Sequence, residues 1–206
     1  MCLFIETICY EQGRFQRIEL HNERFNRTRQ QFFGLQTPLL KLELLLSIPS
    51  DLKDKTVKCT VAYGTDIVRI DYNLYQIRPV NSLQMVADDT IDYAFKYADR
   101  TKLNSLFNLR NQSDDILIIK NGLITDTSYA NVIFKKNDKW YSPQNPLLKG
   151  TRIARYFREG RVAPALLRPS DLPLFSEARI VNSMISIENS PVIPINKIAA
   201  FICNNF

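Results

Sequence analysis

The stretch that most constrains this chain is Asn121 to Phe134, NGLITDTSYANVIF, led into by the apolar run 116–119. Both central positions of a type I′ turn need positive φ, so Asn121-Gly122 between two apolar runs predicts a β-hairpin. The return strand, 123–125, ends at an acid, Asp126. Small and polar residues follow, and then Asn131-Val132-Ile133-Phe134. An acid between two apolar strands is rare unless something pairs with it. Either Asp126 caps a surface hairpin, or it is aimed at a cation-like group of a bound ligand.

The 206 residues allow one large domain or two small ones, and 45% hydrophobic content suffices for a core. The net charge is +6, but the basic residues are scattered, with no run of five. Nucleic-acid binding is therefore not expected, and the charge reads as attraction for anionic small molecules. Four cysteines without CxxC spacing and a single histidine, His21, argue against a His-based zinc site. The N-terminal apolar stretch is broken by Glu6, unlike a signal peptide, and no window approaches the ~20 apolar residues of a membrane span. A cytoplasmic protein with free thiols and no membrane association is expected.

Taken in order, residues 3–10 and 15–20 read as a hairpin around Gly13. Residues 21–34 have helical spacing, with Phe25, Phe32 and Phe33 able to share one side and Gly34 as the stop. The arginines of that helix, Arg24, Arg27 and Arg29, read by themselves as a solvated basic face. Pro38 opens a second helix that Pro49 closes, and strands are expected at 57–63, 67–71, 74–80 and 83–86. Residues 88–97 connect to a helix over 98–111. The second half is richer in β: 116–119, 123–125, 132–135, 140–141, 162–167 and 178–181. A helix begins at Gly150-Thr151 with Ile153, Ala154 and Phe157 inward, 169–175 is a short helix or loop, and 195–201 is a final helix. This pattern predicts two α+β lobes, 1–90 and 91–206, not a doubly wound sheet. There is no GxGxxG, no P-loop and no Ser-His-Asp set, since His21 sits in a basic helix beside no acid cluster.

Five segments, in order, resemble one family. FIETI near the start resembles the FET strand of class IV PLP-dependent enzymes, the fold type shared by branched-chain and D-amino-acid aminotransferases and aminodeoxychorismate lyase. HNERF resembles their HxxRL segment. ITDTSYANVIF resembles their [VI]TExxxxNxF segment, with Asp126 where the family has glutamate. LLKGTRIARYF resembles their LxGxxR helix start, one residue tighter between Gly and Arg. ARIVNSMIS, with PVIPI beyond it, resembles the strand-turn before the family's final PV.

The resemblance implies a two-lobed, D-amino-acid aminotransferase-like fold (fold type IV), pyridoxal 5'-phosphate as cofactor, an amino substrate and a homodimer. It also implies a lysine that forms a Schiff base with PLP. Lys102 superficially matches the family's KxLN, one position off. Lys96 starts KYADR, which fits KxxNR with Asp99 in place of Asn, and its separation from Asp126 is close to the family's. Starting at Lys102 would delete about two helical turns. Lys96 is therefore the preferred catalytic lysine. Asp126 would face the pyridine nitrogen. The phosphate would rest at Gly150, Thr151 and Arg152, at a helix N-terminus. Arg24 would add a charge-assisted pair, and Asn182 and Ser183 would supply an amide and a hydroxyl. The plain alternatives are an ordinary helix start at Gly150, a turn at Asn182 and a surface ion pair for Arg24.

Three activities stay open. One is a 4-amino-4-deoxychorismate lyase, releasing 4-aminobenzoate and pyruvate in folate biosynthesis. The others are an aminotransferase for D- or branched-chain amino acids, and a degenerate member that binds an anionic ligand without catalysis. The first is favoured, because a chain that starts almost at the FET strand has a small N-terminal lobe, and a compact site with a basic balance suits a dianionic substrate.

Overall fold

In the computed structural model, which describes residues 2–35 and 38–201, the chain divides into two units. Unit 1 contains the residues up to Ile77 together with Phe95–Asp99, and unit 2 contains Arg78–Ala94 and the residues from Arg100 onward. The chain therefore passes from one unit to the other three times, at positions 77/78, 94/95 and 99/100, rather than once near residue 90.

Unit 1 is an antiparallel sheet with one long helix. Its elements are β1 (Phe4–Glu11), β2 (Arg14–Phe15), α1 (Ile18–Phe33), β3 (Val57–Tyr63) and β4 (Ile67–Leu74), and the strand order is β2-β1-β3-β4. Along β3, buried residues alternate with half-buried ones, and the buried set Val57, Cys59, Val61 and Tyr63 meets Phe4, Ile8 and Phe25 in the core. Each such side chain contributes roughly 1.5–3 kcal/mol of burial. Residues 95–99 run along the edge of β1: Ile5 N donates to Lys96 O at 2.9 Å, and Ala98 N donates to Leu3 O at 2.8 Å. The Phe95 and Tyr97 rings pack on Phe4 with centroids 6.0 and 5.2 Å away.

Three expectations for unit 1 are corrected. The return strand expected over 15–20 stops at Phe15, because Arg17 takes the left-handed conformation (φ 52°) and α1 starts at Ile18. The helix expected between Pro38 and Pro49 is replaced by one 3-10 turn, Leu42–Leu44. Its backbone is held instead by two asparagines of α1. Asn22 Oδ1 accepts from Leu42 N at 2.8 Å, and Asn26 both accepts from Leu40 N and donates to Leu40 O. The strand expected over 74–80 reduces to Leu74, the last residue of β4. Pro79, with no N–H, suits an irregular connection there.

Unit 2 is a nine-stranded mixed sheet. Its elements are β5 (Leu83–Ala87), α2 (Thr101–Phe107), β6 (Asp115–Lys120), β7 (Leu123–Thr127), β8 (Asn131–Lys136), β9 (Lys139–Pro143), α3 (Thr151–Arg158), β10 (Val162–Ala165), β11 (Glu177–Val181), β12 (Ile193–Pro194) and β13 (Ile198–Ala199). The main path is β10-β9-β8-β7-β6-β5-β13, and β11 pairs with β8 and β12. The expected Asn121-Gly122 turn joins β6 to β7, with φ 52° and 71°. β7 and β8 share one register pair, Asp126↔Asn131. α3, β8, β10 and β11 bury Ile133, Ile153, Tyr156, Val162 and Val181 together, so Tyr156 takes the inward place expected of Ala154.

The helix expected over 98–111 is α2 followed by a 3-10 turn, Asn108–Arg110. The helix expected over 195–201 is one 3-10 turn, Ile195–Lys197, running into β13. The edge of β5 takes up that backbone in parallel, and Gln84 Nε2 donates to Ala200 O at 2.5 Å. Cys2 and Cys59 are free thiols, Cys9 is buried, and Cys203 lies outside the described residues. Among the described residues no helix is long and apolar enough to cross a membrane, and no cluster of three His, Cys, Asp or Glu could hold a metal.

Candidate active site

In unit 1 the apolar strand β1 carries one acid inward, Glu6, which is fully buried. Arg24, in the second turn of α1, grips it as a fork: Nε to Oε1 at 2.7 Å and Nη2 to Oε2 at 2.6 Å. His21 Nδ1 lies 2.6 Å from the same Oε2. Burial pushes the Glu6 carboxyl up, but the Arg24 charge and hydrogen bonds from Arg24 and His21 outweigh it and hold it at about 2. Burial lowers His21 below its ordinary value, against the pull of Glu6, and its Nδ1–H donates to the Glu6 carboxylate. Arg24 and Arg29 are both buried, so this part of α1 is not the solvated basic face that its composition suggests. Lys96 is half-buried, and its carbonyl is fixed by Ile5, the neighbour of Glu6 on β1.

In unit 2 Asp126 is buried near the end of β7. Both of its oxygens are held: Asn131 Nδ2 donates to Oδ1 at 2.8 Å, and the Leu148 backbone N–H donates to Oδ2 at 3.0 Å. A surface hairpin cap is thereby excluded. Two positions after Leu148, Gly150 caps α3 without a side-chain hydrogen bond. The first intrahelical bond of α3 runs from Ala154 N to Gly150 O, 3.0 Å, so the amides before it face out of the N-terminal end. That end favours an anion.

Arg152 lashes the start of α3 to the turn after β11. Its Nε donates to Asn182 O at 2.7 Å and its Nη2 to Ser183 O at 3.1 Å. Asn182 Oδ1 accepts from Met184 N and Ile185 N, which folds its own turn. Asp126, Gly150, Thr151, Arg152, Asn182 and Ser183 thus lie in one unit, joined through Leu148, Asn131 and the Arg152 side chain. Lys96 and Arg24 lie in the other unit, joined through adjacent residues of β1. Lys102, the rival lysine, is engaged elsewhere, with Nζ 2.5 Å from Asp88.

A family model for amino-transferase class IV matches residues 94–198, just over half of the chain. The chain belongs to the class IV aminotransferase family. This class IV member is 36% identical over 180 residues to an uncharacterized protein of Haemophilus influenzae, a match covering 87% of this chain and 96% of that one. It is similar to a solved candidate 4-amino-4-deoxychorismate lyase from Haemophilus somnus, with 30% identity, a TM-score of 0.84, and coverage of 89% of this chain and 97% of that one. It also shares its fold with a hypothetical aminotransferase from Mycobacterium tuberculosis in its PLP-bound form, at 14% identity and a TM-score of 0.75, over 93% of this chain and 80% of that one. The class IV family is PLP-dependent, and its two-lobed α+β fold type IV is the architecture described above.

Sequence reasoning missed Glu6 and His21 as partners of Arg24. It placed His21 beside no acid, yet the acid lies fifteen positions away on β1. The available signal was an acid inside an otherwise apolar strand, FIETICY. Asn131 and Leu148, which hold Asp126, were also missed.

Proposed function

We propose that this class IV member is a PLP enzyme with 4-amino-4-deoxychorismate lyase-like activity, a cytoplasmic catalyst of folate biosynthesis working as a homodimer. The observation that carries the cofactor reading is the polar set of unit 2: a buried carboxylate, Asp126, that accepts from Asn131 and from the Leu148 amide, with Leu148 two positions before the glycine cap of α3. A phosphorylated pyridine matches that set. Asp126 would keep a proton on the ring nitrogen. The first amides of α3, at Thr151 and Arg152, would take the phosphate, with Asn182 and Ser183 beside them and Arg24 adding a guanidinium. Lys96 would supply the amine that joins the cofactor covalently.

When bound, PLP supplies an aldehyde and an electron-withdrawing ring. The chain's own part is proton handling and orientation. Lys96, with its backbone fixed on β1, is the base that takes and returns a proton at the substrate's Cα. Asp126, with its direction set by two donors, holds the ring's proton. The likeness to the Haemophilus somnus protein over nearly all of both chains supports the lyase reading over transamination.

The test is an assay of purified protein with PLP. Release of 4-aminobenzoate and pyruvate from 4-amino-4-deoxychorismate is expected. Amino-acid turnover with 2-oxoglutarate in its place would replace the lyase by a transaminase, and neither activity would leave a non-catalytic anion binder. Light scattering that gives a PLP-bound monomer would remove the dimer.

A further inference from the structure

Asn131 does more than donate to Asp126, because three features of unit 2 meet at its side chain. Its Nδ2 donates to Asp126 Oδ1 at 2.8 Å and to Leu148 O at 3.0 Å. Both partners are acceptors, so the NH₂ end must face them and Oδ1 must face away. Oδ1 then fills the space where Gly150 would carry a side chain. A methyl added at Gly150 would interpenetrate Asn131 Oδ1 and lie 3.3 Å from its Cγ. The backbone of Gly150, φ −65° and ψ 145°, suits any residue. Glycine is therefore required here by its neighbour and not by its own conformation.

We infer that Asn131 is the positioning residue for Asp126, and that Gly150 is a glycine because the Asn131 carboxamide occupies its side-chain space. One side chain thus sets the acid and the N-terminus of α3 at a fixed offset. The inference rests on the reading above in one respect, that Asp126 serves the ring nitrogen. The Asp126 carboxylate can still turn about its own side-chain bonds, so its direction is set by the groups that hold it. Here the holders are Asn131 and the Leu148 amide. Without Nδ2, the buried Oδ1 loses its side-chain donor, and a buried hydrogen bond to a charged group is worth roughly ten- to a hundredfold in an equilibrium.

The test is a double-mutant cycle on the full chain with N131A, G150A and N131A/G150A, with D126N as reference. Two quantities are read: PLP affinity by absorbance titration, and the pH dependence of the bound cofactor's visible band. N131A and G150A should each weaken PLP binding roughly tenfold or more, and both should move the band's titration in the direction that D126N moves it. The double variant should be no worse than N131A alone, because G150A acts by displacing Asn131. Losses that multiply, or an unmoved band in a folded N131A protein, would overturn the inference. Should N131A not fold, N131S takes its place, since serine also clears the space at Gly150. If the wild-type chain gives no PLP band, the proposed function fails. The same cycle read as melting temperature then still decides whether Asn131 seats against Gly150.

Discussion

Arg24 closes on Glu6 as a two-toothed fork, Nε to Oε1 at 2.7 Å and Nη2 to Oε2 at 2.6 Å, with the carboxylate wholly out of solvent. His21 adds a third donor to the same group. The pair joins the second strand-facing turn of α1 to the middle of β1, so it fixes the helix on the sheet as well as the guanidinium in space. Leaving one charge of such a pair without the other costs about 3–5 kcal/mol. Glu6→Gln should therefore destabilise the protein by that amount in denaturant unfolding, whereas Arg69→Ala, which breaks an exposed pair with Asp71, should cost less than about 1 kcal/mol. Equal losses would count against the buried network.

The same network sets an acid limit. Glu6 is held at about 2, below its ordinary 4.5, and His21 is lowered below 6.5. Both values are depressed in the folded state, so the unfolded chain binds protons first and stability falls as the pH falls. The loss begins near pH 6.5 with His21 and continues from 4.5 toward 2 with Glu6. The charged neighbours Arg17 and Arg24 oppose protonation of His21. Melting temperature should be level above neutral pH and fall through this window. His21→Asn should flatten its upper part. A wild-type melting temperature that stays constant from pH 7 to 4 would contradict this.

The two lysines should part company under mutation. Lys96→Ala should abolish borohydride trapping of the cofactor and lower turnover by roughly 10²–10⁴-fold or more. Lys102 makes a half-exposed ion pair with Asp88, and Lys102→Ala should leave turnover unchanged and shift stability by less than about 1 kcal/mol. Peptide mapping of the reduced adduct checks the assignment directly, and a label at Lys102 would reverse it.

Arg152→Leu removes both bonds to the Asn182 and Ser183 carbonyls. Affinity for PLP should drop by roughly tenfold, while affinity for pyridoxal, which lacks the phosphate, should stay the same. A parallel fall in both would mean that Arg152 serves the fold and not the anion.

What could be read from the residues was local. Asn121-Gly122 announced its turn because positive φ at both positions leaves few alternatives, and Asp126 stood out as an acid among apolar strands. The 38–49 segment misled because its leucine spacing suits a helix, while the groups that claim its backbone, Asn22 and Asn26, come from α1. The segment at 195–201 misled for a similar reason, since the edge of β5 captures it. Partners of the site residues were hidden in the same way. Nothing near Asp126 in sequence points to the Leu148 amide, twenty-two positions away, and nothing near His21 points to Glu6.

Residues Phe95–Asp99 belong to unit 1 although the chain has by then already run through Arg78–Ala94 of unit 2. A fragment truncated at Ile77 would leave the Ile5 amide and the Leu3 carbonyl without their partners and strip two rings from Phe4. No single cut yields either lobe intact. Any chimera that exchanges one lobe with a relative must transplant the lysine-bearing pentapeptide along with the N-terminal half, or β1 is left with a raw edge.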